Sequence, residues 1–209
     1  MKSIPLRARL ALAVAAAAVL AGCSVTRPSP VKGTFLLDPP APAAVAKSQP
    51  TTLRMGTITV AAPFRGRAFI SREGELRYET DFYNEFLVTP AAMIGELTGR
   101  ALERAKAFAL VAPSSSTADA DWLLDGFVTS LYIDARDPAK MAAEVEVSYY
   151  LFRADAAGGM PLWTQTYRQR VALSATTAQA YATALNAALA QIFADLARDL
   201  SAANLGKRG

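Results

Sequence analysis

From Leu53 onward, apolar and polar residues alternate along most of the chain, and in two long stretches the period lengthens to three and four. Between Leu53 and Ala62, Ile58 and Val60 take alternate positions before Pro63, which predicts a first strand. Ala68 to Ser71 and Leu76 to Thr80 follow as a hairpin, with Gly74 in the Glu73-Gly74-Glu75 turn. Thr89-Pro90 then sets a hydroxyl at an N-cap and proline at the first helical position. Ile94, Leu97, Ala101, Ala105 and Phe108 recur at three and four, the stripe of an amphipathic helix, and Glu96 and Arg100 sit four apart on its other side. Trp122 to Ile133 is apolar and aromatic. Ala142 to Phe152 sets Val145, Val147, Tyr149 and Leu151 against Glu144, Glu146 and Ser148. The Asp-Pro turn within Asp134 to Lys140 makes these two strands an antiparallel pair. Gly158-Gly159 turns the chain into Leu162 to Val171, where Trp163, Tyr167 and Val171 oppose Thr164, Thr166, Arg168 and Arg170. A last helix is predicted from about Thr177 to Asn204, with Thr176 and Gln179 as a capping box, a stripe from Tyr181 to Leu200, and Gly206 as a stop. Hairpins interrupted by one helix and ended by another predict an α+β domain over residues 53–205, an antiparallel sheet of hairpins with two helices packed on one face.

The amino terminus follows different rules. Lys2, Arg7 and Arg9 precede an uncharged apolar run from Leu10 to Ala21, the layout of an export signal. At about 12 residues the run is too short to span a bilayer core, which takes about 20. It ends Leu20-Ala21-Gly22-Cys23, which resembles the bacterial lipobox. That resemblance implies cleavage between Gly22 and Cys23, removal of residues 1–22, and acylation of Cys23. Several acyl chains make a durable anchor where one is marginal. The resemblance to proteobacterial lipoproteins also implies transfer to the outer membrane, since Ser24 and not Asp follows the cysteine. Residues 23–52 carry Pro28, Pro30, Pro39, Pro40, Pro42 and Pro50 and read as a tether, except that Thr34-Phe35-Leu36-Leu37 is apolar enough to add a short strand to the domain.

Charge and composition then narrow the chemistry. The signal takes three basic residues with it, which leaves 19 Lys and Arg against 18 Asp and Glu, so the overall basicity does not indicate a nucleic-acid partner. Histidine is absent, and with it the commonest general base and metal ligand. The one cysteine is committed to lipid, leaving no thiol nucleophile and no internal disulfide. Asp119, Asp121 and Asp125 are too few and too interrupted by Trp122-Leu123-Leu124 for a calcium loop. Ala156-Ala157-Gly158-Gly159 lacks a Walker lysine and a following helix. We therefore expect no catalytic residues, no cofactor and no metal. The remaining unusual stretch is Leu76 to Leu87, with Tyr78, Phe82, Tyr83 and Phe86 set among charges. A single strand face cannot bury all four rings, so Tyr78, Tyr83 and Phe86 are the candidate partner-binding residues, the alternative being a strand and connector whose rings cover the domain core.

Taken in order, the lipobox, Phe35-Leu36-Leu37-Asp38-Pro39, a strand ending near Pro63, the hairpin into Tyr78-Glu79-Thr80-Asp81-Phe82-Tyr83-Asn84-Glu85-Phe86, and Leu123-Leu124-Asp125-Gly126-Phe127-Val128 resemble the ABC-type transport auxiliary lipoprotein family. Many members carry tryptophan soon after the aromatic hairpin, where this chain has Phe86-Leu87-Val88. The resemblance implies a non-enzymatic accessory lipoprotein in the bacterial envelope. Its implied partners are an ABC permease, its ATPase and a substrate-binding protein of the mammalian-cell-entry type, which together move lipids or other apolar molecules between membranes. Copy number is left open, a homo-oligomer included. A general structural or assembly lipoprotein is the competing reading.

Overall fold

The computed structural model describes residues 32–155 and 159–205. In chain order the elements are β1 (Gly33–Phe35), β2 (Gln49–Val60), β3 (Ala68–Arg72), β4 (Tyr78–Phe86), α1 (Pro90–Arg104), β5 (Phe108–Ala112), β6 (Trp122–Asp134), β7 (Ala142–Arg153), β8 (Trp163–Ala172) and α2 (Ala178–Ala202). Short 3₁₀ turns occupy Ala62–Phe64 and Pro138–Lys140. The fold is α+β, and the sheet is mixed rather than the purely antiparallel one expected.

Strand β6 organises the sheet. Along one edge it pairs with β7 antiparallel from Trp122 to Asp134, and β7 pairs with β8 in the same sense. Its other edge is shared. β2 lies parallel to residues 122–128, and β3 lies parallel to Ile133 and Asp134. β2 and β3 are consecutive in the chain and run in the same direction, so they act as one strand interrupted by the loop through the first 3₁₀ turn. Two wings fork from the break: β5 adds parallel to β2, while β4 adds antiparallel to β3 and β1 parallel to β4. Alternation in a sequence says which face a residue takes. It does not say which way a neighbouring strand runs, and so the expectation of hairpins alone missed the parallel pairs.

Both helices cover the same face. Thr98 of α1 shares a hydrogen bond of 2.9 Å with the Tyr149 hydroxyl, and Tyr167 donates to Asp199 of α2 at 2.8 Å. Tyr149 lies two residues from Val147, which pairs with Tyr167, so the two tyrosines share a face of the sheet. Between helices and sheet, Leu53, Ile94, Trp122, Leu124, Val145, Val147, Leu185, Leu189 and Leu196 are buried. Each fully buried side chain of this size contributes roughly 1.5–3 kcal/mol.

The predicted α1 stripe holds for Ile94, Leu97, Ala101 and Ala105, but Phe108 begins β5 instead of ending the helix. The cause is Lys106, whose φ of 54° is left-handed. Its amide donates to the Glu103 carbonyl at 2.9 Å and the Ala107 amide to the Leu102 carbonyl at 3.1 Å, a Schellman stop built without glycine. A non-glycine residue in this conformation is strained, so Lys106→Gly should stabilise the protein by about 1 kcal/mol in urea denaturation. An unchanged or lower midpoint would show that the lysine is not strained there. At α2 the N-cap is Thr177, one residue after the expected Thr176, and its side chain accepts from the Ala180 amide. Gly158 and Gly206, read as a turn and a stop, lie outside the described residues.

Residues 32–52, read as tether, lie on the domain. The apolar patch at Thr34–Leu37 places β1 against β4 and buries Leu37 in the core. Downstream, the Asp38 amide donates to Asn186 and the Val45 amide to the Ala105 carbonyl. Gln49 caps α2, its side-chain amide lying 2.9 Å from the carbonyls of Leu200 and Ala203.

Candidate functional site

The aromatic segment owes its shape to a bulge. Ala68 of β3 pairs with Glu85 of β4, yet Ile70 pairs with Thr80, so β4 carries three more residues than β3 between these pairs. Asp81 holds the excess in place. One carboxylate oxygen accepts from the amides of Tyr83 at 2.7 Å and Asn84 at 3.0 Å, and the other accepts from the Asn84 side chain at 2.8 Å. Phe82 and Tyr83 are thereby turned away from the core, 73% and 43% exposed, with their rings edge to face at 5.3 Å. The Lys32 ammonium lies 4.9 Å from the centre of the Phe82 ring.

The three aromatics expected at a partner contact are not brought together. Tyr78, 44% exposed, sits at the far end of β4 in a cluster with Phe64 and Tyr132, its ring centre 5.7 Å from that of Tyr132 and 5.6 Å from the Arg72 guanidinium. Tyr83 is on the bulge. Phe86 is 2% exposed and packs edge-on against Phe69 at 4.7 Å, so it belongs to the core and not to a contact surface. The odd number of extra residues in the bulge swaps the faces of β4, turning Phe86 inward and Phe82 outward. Gly22 and Cys23 lie outside the described residues.

Two other places gather polar and charged side chains. An open groove of about 1100 Å³ runs between α1 and residues 54–58 of β2, past the end of β5. Gly95 and Gly99 let the helix approach β2 there, since an added Cβ would come within 3.3 Å of Ile58 and 3.1 Å of Met55. Arg54, Glu103, Ser114 and Ser116 are among the residues that line it. The outer sheet face carries a charged network. Arg136 and Arg170 pair with Asp134 at 2.9 and 3.2 Å, and Arg168 pairs with the buried Glu144. The hydrogen bond from Arg136 leads in holding the Asp134 carboxyl well below its ordinary range, against the opposing effect of burial. A carboxylate so tightly paired stays ionised and is a poor acid or base near neutrality. Of the aspartates considered as metal ligands, Asp121 accepts from the Thr52 amide and Asp125 from the Thr57 amide, and both therefore satisfy backbone donors of β2. Among the described residues no group of three or more His, Cys, Asp or Glu is placed to hold a metal ion, and no helix is long and apolar enough to cross a membrane.

Comparison with protein families matches residues 35–197 to the ABC-type transport auxiliary lipoprotein component. The chain belongs to this family. The match starts inside β1 and runs through most of α2, so it covers both wings of the sheet and both helices. The auxiliary lipoprotein fold recurs in solved structures. Protein XCC0632 from Xanthomonas campestris is 18% identical, with a TM-score of 0.70 over 78% of this chain and 91% of that one. An uncharacterized protein is 13% identical, with a TM-score of 0.64 over 81% of this chain and 99% of that one. The hypothetical protein CT253 from Chlamydia trachomatis is 10% identical, with a TM-score of 0.50 over 75% of this chain and 96% of that one. At these identities the likeness is one of fold. No curated protein matches the chain.

Proposed function

We propose that this auxiliary lipoprotein is a non-enzymatic subunit of an ABC-type envelope transport system that moves lipid or other apolar molecules between the inner and outer membranes. In this reading it works with an ABC permease, its ATPase and a substrate-binding protein of the mammalian-cell-entry type. The observation that carries the reading is the family match over residues 35–197, with a lipobox ending at Cys23 just ahead of it. The acylated Cys23 holds the domain to the periplasmic face of the outer membrane, the destination implied by Ser24. The rest of the chain contributes a rigid scaffold for docking. Asp134 and Glu144 are engaged with arginines, and Asp121 and Asp125 with backbone amides, which suits carboxylates that hold a binding scaffold together.

Affinity capture of the full-length chain from detergent-solubilised envelopes should recover the permease, the ATPase and the mammalian-cell-entry protein together. Cys23→Ser should abolish fatty-acid labelling, leave an uncleaved or soluble precursor, and reduce that recovery. Recovery of none of the three from a correctly lipidated chain would refute the transport role and favour a general envelope lipoprotein. Fatty-acid labelling that persists in Cys23→Ser would refute the anchor.

A further inference from the structure

The wing formed by β1 and β4 is where the described domain begins. Eight residues, 24–31, separate Lys32 from Cys23, and even fully extended they reach only about 30 Å. A domain of this length has a radius of gyration near 15 Å and is thus roughly 40 Å across. An acyl anchor at Cys23 therefore keeps Lys32, at the β1–β4 edge, within about 30 Å of the bilayer, less than the width of the domain.

That edge has the composition of a membrane-interface surface. Phe35 is partly buried against the core and Phe86 lies within it, so Leu36 and Leu87, the next residues on the paired strands, face out and are exposed. Phe82 and Tyr83 project from the bulge beside them, and Lys32 stands next to Phe82. The nearby carboxylates are already satisfied: Asp81 by amides of the bulge, and Glu85 by Arg67 at 2.9 Å. What remains outward is apolar and aromatic surface beside a cation, the pattern of side chains that settle at the headgroup level of an anionic bilayer. The hydrogen bonds of Asp81 hold the rings out before any contact is made, which lowers the ordering cost of binding.

We propose that the β1–β4 edge rests on the membrane that holds Cys23, with Phe82, Tyr83, Leu36 and Leu87 entering the interface and Lys32 meeting lipid phosphates. This orientation rests on the reading of Cys23 as lipidated, so its test removes the acyl chain. The mature chain carrying Cys23→Ser is sedimented with vesicles of phosphatidylethanolamine and phosphatidylglycerol. Phe82→Ser with Tyr83→Ser should cut the bound fraction about tenfold at unchanged thermal unfolding, whereas Leu110→Ser, exposed on the opposite wing, should leave it unchanged. In the same background Phe82→Trp should give emission that shifts to the blue with vesicles and is quenched by brominated lipid. The proposal is overturned by equal sedimentation of all variants, by absence of binding, or by an aromatic variant that loses only co-purifying envelope proteins. None of these outcomes bears on the lipid anchor, which fatty-acid labelling reads separately.

Discussion

Phe86→Ala should lower the free energy of unfolding by about 3–5 kcal/mol. Phe86 meets Phe69 at 4.7 Å, and Phe69 in turn meets Tyr181 at 4.9 Å and Phe35 at 5.2 Å. These rings join β1, β3 and β4 to α2. Removing the buried Phe86 ring leaves a cavity beside Phe69, which is itself held by rings of β1 and α2 and cannot fill it. Tyr83→Ala, on the exposed bulge, should cost less than about 1 kcal/mol. Urea denaturation of both variants checks the contrast. A loss below 1 kcal/mol for Phe86→Ala would mean that the ring does not pack as described.

Gly56→Ala should cost about 1–3 kcal/mol, and most of that cost should vanish once Asp125 is removed. Between Met55 and Ile58, β2 has one residue more than β6, a bulge that leaves the Thr57 amide off the ladder. Asp125 Oδ1 accepts from that amide at 2.8 Å, passing so close to Gly56 that an added Cβ would lie 1.9 Å from it. Alanine at 56 forces the carboxylate to swing away and forfeit its hydrogen bond. In a double-mutant cycle with Asp125→Ala, the two effects should fall short of additivity by about 1 kcal/mol or more. Full additivity would disconnect the glycine from the carboxylate and leave Leu123, 3.2 Å from the added Cβ, as the main obstacle.

The strands with clean alternation were legible in the sequence. Val145, Val147, Tyr149 and Leu151 face the helices as their spacing predicts, and the pairing of β6 with β7 follows from the turn between them. The less legible features are those in which a local irregularity resets the pattern. Phe108 continued a helical stripe because no glycine announced the stop at Lys106. The density of rings in β4 indicated that something stays outside the core, but the bulge held by Asp81 decided that it is Phe82 and not Phe86. Asp125, next to Gly126 inside an apolar strand, was visible as an oddity, and only its geometry assigns it to a backbone amide of β2. The groove beside α1 had no sequence signal beyond Gly95 and Gly99 at a spacing of four.

The shared edge of β6 also bears on how the chain acquires its structure. Leu53 must find Trp122, and Ser71 must find Ile133, each across more than 60 intervening residues, whereas β7 and β8 lie close at hand for hairpin formation. Topologies dominated by such distant pairs fold slowly, because loop closure is unfavourable before the contact forms. A chain emerging amino terminus first from a translocation channel therefore carries β2, and the free edge of the β3–β4 hairpin, without their central partner until residues 122–134 arrive. During that interval the exposed edges of both wings are open to wrong pairing. Folding of this lipoprotein is thus governed by the delivery of one late strand.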